Sequence, residues 1–77
     1  MATLLLYRKL RETKTEVEYS YGPSPQHLDG RLILDAQDPT AEPSSGADTP
    51  SGKKVAAKLL WLRQENPTWP QYGAIQS

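Results

Sequence analysis

The residue types that carry out acid–base and nucleophilic chemistry are few in this chain, and they are not arranged as a catalytic set. The 77 residues include one histidine and no cysteine. His27 lies close to Asp29 in a segment rich in proline and glycine, and Ser20 and Ser24 precede it in the chain. A serine–histidine–aspartate site is defined by geometry, and residues of these types occur together by chance in most chains. We therefore expect a protein that is not an enzyme.

Metal and phosphate sites lack their usual ligand spacing as well. A single histidine and scattered carboxylates match no zinc site of known type. The acidic stretch 29–38 is not a calcium loop, because Leu32 and Leu34 occupy positions that need oxygen ligands. Lys53 follows two glycines, but no strand precedes Gly46 and the rest of a phosphate-binding loop is missing. The sequence thus predicts neither a metal nor a cofactor.

Basic residues are concentrated in two stretches, although nine Lys and Arg residues are balanced by nine Asp and Glu residues. A chain without net charge has no overall attraction for nucleic acid or for a membrane. Local basic groups beside an aromatic residue such as Tyr7 could still form a stacking platform for single-stranded nucleic acid. A small nucleic-acid-binding domain is therefore the alternative function. It would use the basic residues of the first hairpin and of the helix, namely Arg8, Lys9, Arg11, Lys14, Lys53, Lys54 and Lys58.

A helix is predicted over residues 53–65, and its charged side carries a tryptophan. The segment is rich in Ala, Leu, Lys, Arg, Gln and Glu, which favour helices. At about 100° per residue, Trp61 falls on the side of Lys54 and Lys58 and away from the apolar arc. Either the lysine methylene groups or the C-terminal tail cover this indole, or it is an anchor for a partner, since tryptophan is enriched in interface hot spots.

The tail after the helix, residues 66–77, is irregular in pattern but rich in aromatic side chains. Disordered tails are usually poor in aromatic residues, so Trp69 and Tyr72 indicate that this segment docks. The docking surface is either the protein's own helix near Trp61 or another molecule. The candidate protein-binding residues are accordingly Trp61, Lys54, Lys58, Trp69 and Tyr72.

Three strands are predicted in the N-terminal half of the chain. Residues 13–21 alternate polar with β-branched or aromatic side chains, which is typical of a half-buried strand. Residues 3–10 supply its partner across a tight turn, and 31–35 form a third strand after the Pro- and Gly-rich loop 22–30. The result is an antiparallel meander with the second strand in the middle and the first strand at an edge, where Arg8 and Lys9 guard it against pairing with other chains.

Two registers are open for the first hairpin. A four-residue loop pairs Leu6 with Tyr19 and Arg8 with Val17, and collects Leu4, Leu6 and Leu10 on the side of the tyrosines. A three-residue loop instead brings Leu5 and Tyr7 to that side. No Asn-Gly turn decides between them, and we favour the first.

The sequence as a whole predicts an α+β fold with a three-stranded antiparallel β-meander packed against one C-terminal α-helix. Ser51 is the expected N-cap. Residues 36–52 hold little apolar content and are predicted to be a long mobile loop between the third strand and the helix. The division is 2–35 meander, 36–52 linker, 53–65 helix and 66–77 aromatic tail, within one domain over 1–77.

The size and composition indicate a protein of marginal stability that acts through contacts with other chains. A domain of 77 residues with 36% hydrophobic residues and no disulfide has a small core. No signal peptide or membrane span is recognisable, so a cytoplasmic location is expected. The expected function is that of a small non-catalytic protein-interaction module, with an exposed sheet edge and the aromatic residues as contacts. Self-association is the simplest version, because it also supplies missing core.

Overall fold

The computed structural model describes residues 4–76, with Gln76 described by its backbone alone. The elements are four strands and one helix: β1 Leu4–Glu12, β2 Glu16–Gly22, β3 Gly30–Asp35, α1 Pro50–Glu65 and β4 Tyr72–Gln76. All neighbouring strands are antiparallel, and the order across the sheet is β3-β2-β1-β4. The α+β class with one antiparallel sheet and one helix is confirmed. The prediction of three strands is wrong, because the C-terminal tail adds a fourth.

Strand β4 forms where the sequence predicted an irregular tail. Its five residues include Gly73 and Ala74, which have weak strand propensity, so its extended form comes from pairing with β1. The ring of Tyr7 lies against Gly73, and a Cβ built at this glycine would be 2.3 Å from the Tyr7 hydroxyl. This close contact requires glycine. Because β4 occupies its outer side, β1 is an internal strand, and the prediction that it is an edge is wrong.

The hairpin of β1 and β2 has a register that differs from both predictions. Tyr7 lies opposite Tyr21, and Lys9 lies opposite Tyr19. The favoured pairing of Leu6 with Tyr19 is therefore wrong. The strands run close to the turn, where the Thr13 N–H donates to the Glu16 carbonyl at 2.7 Å, and the ladder then shifts at a β-bulge between Lys9 and Arg11.

The side chains of β1 that face the core are those of the alternative register, although the residue pairs across the hairpin are not. Leu5 and Tyr7 point to the same side as Val17 and Tyr19, and all four are buried beneath the helix. The remaining core residues come from β2, β3, the helix and the segment that follows it. They are Tyr21, Leu32, Leu34, Val55, Ala56, Leu59 and Trp69.

Helix α1 begins earlier than predicted and ends where predicted. The N-cap is Thr49, not Ser51, and its hydroxyl accepts a hydrogen bond from the Gly52 N–H at 3.0 Å. Pro50 occupies the first turn, where a missing N–H costs nothing. The Asn66 side chain donates to the Leu62 carbonyl at 2.9 Å just beyond the last turn. The helix is therefore about one turn longer at its start than predicted, because the sequence before position 53 resembles a loop.

The connector between β3 and α1 is tied to the rest of the molecule. Ile33 of β3 exchanges backbone hydrogen bonds with Ser44 and Ser45 at 2.8 and 3.0 Å, so this stretch lies along the outer edge of β3. Further along, the Tyr21 hydroxyl donates to the Gly46 carbonyl at 3.3 Å, and the Gln64 amide reaches the Pro39 carbonyl at 3.2 Å. The segment predicted as a linker thus covers one edge of the sheet.

Two buried tyrosines link the stability of this fold to pH. Burial raises the pKa of the Tyr7 phenol. Burial also raises the pKa of Tyr19, with smaller contributions from the charges of Glu12 and Tyr7. The Tyr19 hydroxyl donates to the carbonyl of Pro70, so the neutral form is the one that joins β2 to the segment before β4.

We expect the protein to lose stability as the pH rises above about 10, the ordinary pKa of tyrosine. The unfolded chain ionises there while the folded chain keeps its protons, so the free energy of unfolding falls with each further rise in pH. Tyr19→Phe should lower stability by about 1 kcal/mol at pH 7, because the hydrogen bond is lost. It should also make the free energy of unfolding fall less steeply with pH above about 10. Urea unfolding of both chains between pH 7 and 11.5 measures this, and equal pH slopes would contradict it.

Candidate partner-binding surface

The sheet has one face packed under helix α1 and one face that no helix covers. On the uncovered side, β1 and β4 present Leu4, Leu6, Arg8, Tyr72 and Ala74, which we call the open face. Leu4 is 45% exposed and Tyr72 is 78% exposed. Large apolar side chains with such exposure, grouped on adjacent strands, are typical of a contact surface.

A groove of about 490 Å³ runs along the open face. Leu6 and Ala74 form part of its lining, Arg8 and Tyr72 lie at one side, and loop 23–29 supplies the other wall through Pro25 and Leu28. Arg8 is the only charged residue of this lining. The groove can therefore accept an apolar group beside a negative charge.

Gly22 allows loop 23–29 to fold over the open face. A Cβ built at this position would be 1.7 Å from the His27 carbonyl oxygen, which is far closer than any real contact. Leu6 is the cross-strand partner of Gly22. The absence of a side chain at Gly22 thus brings the loop down beside Leu6 and creates the wall of the groove.

The outer edge of β4 is unpaired within the described part of the chain. The Lys9 N–H donates to the Gln71 carbonyl at 2.6 Å, next to the ladder between β1 and β4. Because hydrogen-bonded pairs alternate along an antiparallel ladder, Gly73 and Ile75 also bond to β1. The backbone groups of the alternate residues, Tyr72, Ala74 and Gln76, consequently point outward.

The chemistry of β4 does not protect this edge. Natural edge strands are usually shielded by lysine, proline, a bulge or a covering segment. The sequence Tyr-Gly-Ala-Ile-Gln contains no charge and no proline, and the bulge lies on β1. The opposite edge of the sheet, at β3, has its cover in Ser44 and Ser45. The strand edge that is left for pairing is thus the one beside the groove.

Trp61 lies outside the core, as its position on the helix predicted. The indole is 54% exposed, and the Lys58 ammonium nitrogen lies 4.9 Å from the ring centroid. Lys54 is exposed on the same helix. This surface is on the far side of the helix from the sheet, whereas Tyr72 belongs to the open face. The structure therefore does not bring Trp61 and Tyr72 together.

Trp69 is part of the protein's own core. Its ring is 4% exposed, and its indole N–H donates to the Ala36 carbonyl at 3.3 Å. The Arg63 guanidinium lies 5.9 Å from the ring centroid. The tail thus docks on its own chain, and Trp69 has almost no surface for a partner.

The basic residues proposed for nucleic-acid binding do not form one patch. Lys9 pairs with Glu12 at 2.7 Å and Arg11 pairs with Glu18 at 2.8 Å, so carboxylates of the same hairpin neutralise both. Arg8 belongs to the open face, and Lys14 lies in the turn between β1 and β2.

Lys53 lies at the other end of the sheet from that turn. It is in the first turn of α1, whose N-cap Thr49 is 3.3 Å from the Tyr21 hydroxyl near the end of β2. Because β2 begins at the turn containing Lys14, the two lysines are at opposite ends of the strand. A continuous basic stripe over the predicted residues is absent from the described structure.

The histidine and aspartate considered for catalysis belong to the loop that walls the groove but are not among the groove-lining residues. His27 and Asp29 are exposed in loop 23–29. Residues 4–76 contain no cluster of three or more His, Cys, Asp or Glu side chains with metal-binding geometry. Over the same residues, no helix has the length and hydrophobicity to span a membrane.

Sequence reasoning missed the open face because it assigned Leu4, Leu6 and Leu10 to the core. That register also directed Arg8 toward the core, although a charged side chain is rarely buried without a partner. The position of Arg8 between leucines was the signal that this side of β1 faces solvent. No comparable signal existed for Ala74, because the strand that contains it, β4, was not predicted.

We expect the two tryptophans to respond in opposite ways to removal. Trp69→Ala should lower the free energy of unfolding by about 3–5 kcal/mol, because it leaves a cavity and an unpaired Ala36 carbonyl. Trp61→Ala, its matched control, should change stability by less than about 1 kcal/mol, because that ring is largely in water. Urea unfolding followed by circular dichroism measures both, and similar losses for the two variants would contradict this assignment.

The comparisons with known proteins give this chain no relatives. It matches no protein-family model, no curated protein and no solved structure. Its function must therefore be inferred from the groove, the open face and the unpaired edge of β4.

Proposed function

We propose that the protein is a non-catalytic interaction module that binds an extended segment of a partner protein by strand addition to β4. The observation that supports this is the unpaired, uncharged edge of β4 beside an apolar groove. Strand addition uses backbone hydrogen bonds for affinity and alternate side-chain pockets for specificity. Both components are present on this side of the sheet.

The backbone of β4 supplies the first component. The N–H and carbonyl groups of Tyr72, Ala74 and Gln76 point away from β1, as the ladder alternation requires. A partner strand at the usual spacing of about 4.8 Å would satisfy all of them. The five-residue length of β4 suits a short extended segment.

The groove supplies the second component. Alternate side chains of the bound segment would face the open side and lie next to Tyr72 and Ala74. Ala74 is small, so a long apolar side chain opposite it can lean across the strand toward Leu6 and the groove. The preferred segment therefore has apolar residues at alternate positions.

Arg8 adds a charge preference to this site. It is exposed, it lies opposite Tyr72 on the adjacent strand, and no carboxylate of residues 4–76 is within salt-bridge distance of it. The neighbouring bases Lys9 and Arg11 are already paired within the hairpin. A bound segment that carries an Asp or Glu near its apolar residue would give Arg8 a partner.

Selection from a random peptide library tests this function, with Ala74→Pro as the critical variant. Proline removes an outward N–H and places its ring at the edge, but leaves the hydrogen bonds of Gly73 and Ile75 to β1. Selected peptides should alternate apolar residues and include an acid, and Ala74→Pro should weaken their binding at least about tenfold. Isothermal titration calorimetry measures the affinity.

Ala74→Ser is the matched control, since it changes the same side chain and keeps the N–H. It should bind the selected peptides with nearly the affinity of the unaltered protein. Circular dichroism and thermal unfolding establish that both variants are folded. Equal affinities for Ala74→Pro and Ala74→Ser, or selected peptides without apolar alternation, would show that β4 is not the binding edge.

A further inference from the structure

We infer that the partner strand is β4 of a second copy, paired antiparallel with Ala74 opposite Ala74 of that copy. The inference rests on the proposed function, because it fills the same edge. Two copies would then share one continuous sheet, with the open faces of both on the same side. Such a two-fold interface uses the same surface of each subunit.

The register follows from which backbone groups point outward. Tyr72, Ala74 and Gln76 have free outward groups, and these positions are symmetric about Ala74. Centring the pair on Ala74 places every outward group opposite another outward group. Among residues 4–76, centring it on Gly73 places Gln76 opposite Pro70, which has no N–H, and centring it on Ile75 gives Tyr72 no described partner. The Ala74 register therefore forms the most hydrogen bonds.

This register also places the most exposed apolar side chains of the two open faces two strand spacings apart, which is about 10 Å between Cα atoms. Tyr72 of one copy lies opposite Gln76 of the other copy. In that other copy, Leu4 of β1 is the cross-strand neighbour of Gln76. The Tyr72 ring, which is 78% exposed, would extend toward Leu4, which is 45% exposed. The two-fold axis repeats this arrangement, so both Tyr72–Leu4 pairs approach in the same way. Ala74 at the axis is small enough for close approach of the strands.

Electrostatic repulsion does not oppose this pairing. The chain has equal numbers of acidic and basic residues, and β4 carries no charge. Arg8 is the charged residue beside β4 on the open face, and because β4 of the second copy carries no acid, this pairing leaves the charge preference of Arg8 unused. In the Ala74 register, the two Arg8 residues are three strand spacings apart across the sheet and four residues apart along the strand direction. Together these offsets give a separation of about 20 Å. This exceeds the screening length of about 8 Å at physiological ionic strength.

Cysteine cross-linking tests the register directly, because the natural chain has no cysteine. Opposed residues in a hydrogen-bonded antiparallel pair have Cα atoms about 5.5 Å apart, which lies within the range of disulfides. Ala74→Cys should form a covalent dimer under mild oxidation with glutathione, visible on a non-reducing gel. Tyr72→Cys alone should remain monomeric on the gel, since its two thiols are offset by about 14 Å along the strands.

A mixture of Tyr72→Cys and Gln76→Cys provides the positive control for the same register. These positions oppose each other across the interface, so the mixed dimer should cross-link although Tyr72→Cys alone does not. Cross-linking of Tyr72→Cys as fast as Ala74→Cys would overturn the register, because it would indicate random collision.

Sedimentation equilibrium measures the assembly without a cross-link. The unaltered protein and Trp61→Ala, a control substitution on the far side of the helix from the sheet, should be dimers at micromolar concentration, and Ala74→Pro should be a folded monomer. If the unaltered protein is a monomer and Ala74→Pro still abolishes peptide binding, the inference of a second copy is wrong and the proposed function stands. Absence of both the dimer and the peptide binding would overturn both.

Discussion

One helix can cover only one face of a sheet, and this constraint governs the whole molecule. Helix α1 buries Val55 and Leu59 against the side of the sheet that carries Tyr7 and Tyr19. The chain contributes no second helix within the described residues. The other face is therefore left to loop 23–29 and to solvent, and its leucines stay partly exposed. A small core and a large apolar surface are consequences of the same shortage of covering elements.

The C-terminal segment shows how the chain distributes its few apolar groups. Trp69 adds to the core beneath the helix end, while the Tyr19 hydroxyl holds Pro70 in place. These two contacts direct the following residues alongside β1, where β4 forms. The pairing protects β1 but creates a new edge one strand further out. The groups that stabilise the fold thereby also produce the surface that we propose for binding.

The two exposed aromatic residues have different structural settings, and this difference separates their roles. Trp61 lies on the outer side of the helix with Lys58 over its ring, where an internal cation–π contact already satisfies one face. Tyr72 lies on the strand whose outward backbone groups have no partner within the described residues. An anchor is most effective when backbone hydrogen bonds position its partner, so the strand edge is the stronger site.

The sequence by itself determined the elements whose local pattern repeats with a single period. Alternation around Val17 and Tyr19 predicted β2, and helix-forming residues up to Glu65 predicted α1 and its end. The placement of Trp61 outside the core also followed from the angle between helical positions. These features depend on neighbours in the chain, which is why composition and spacing were sufficient to predict them.

Only the tertiary structure decided the rest. Gly73 and Ala74 lower the strand propensity of residues 72–76, which become β4 because β1 offers hydrogen bonds to them. The hairpin register depends on the Thr13 turn and a bulge, and one shifted residue reverses the face of every leucine in β1. The groove requires β1, β4 and loop 23–29 to meet at Leu6. The β4 pairing and the groove join residues far apart in the chain, and the hairpin register depends on a bulge that the alternating pattern does not mark, so neither could be predicted from local sequence.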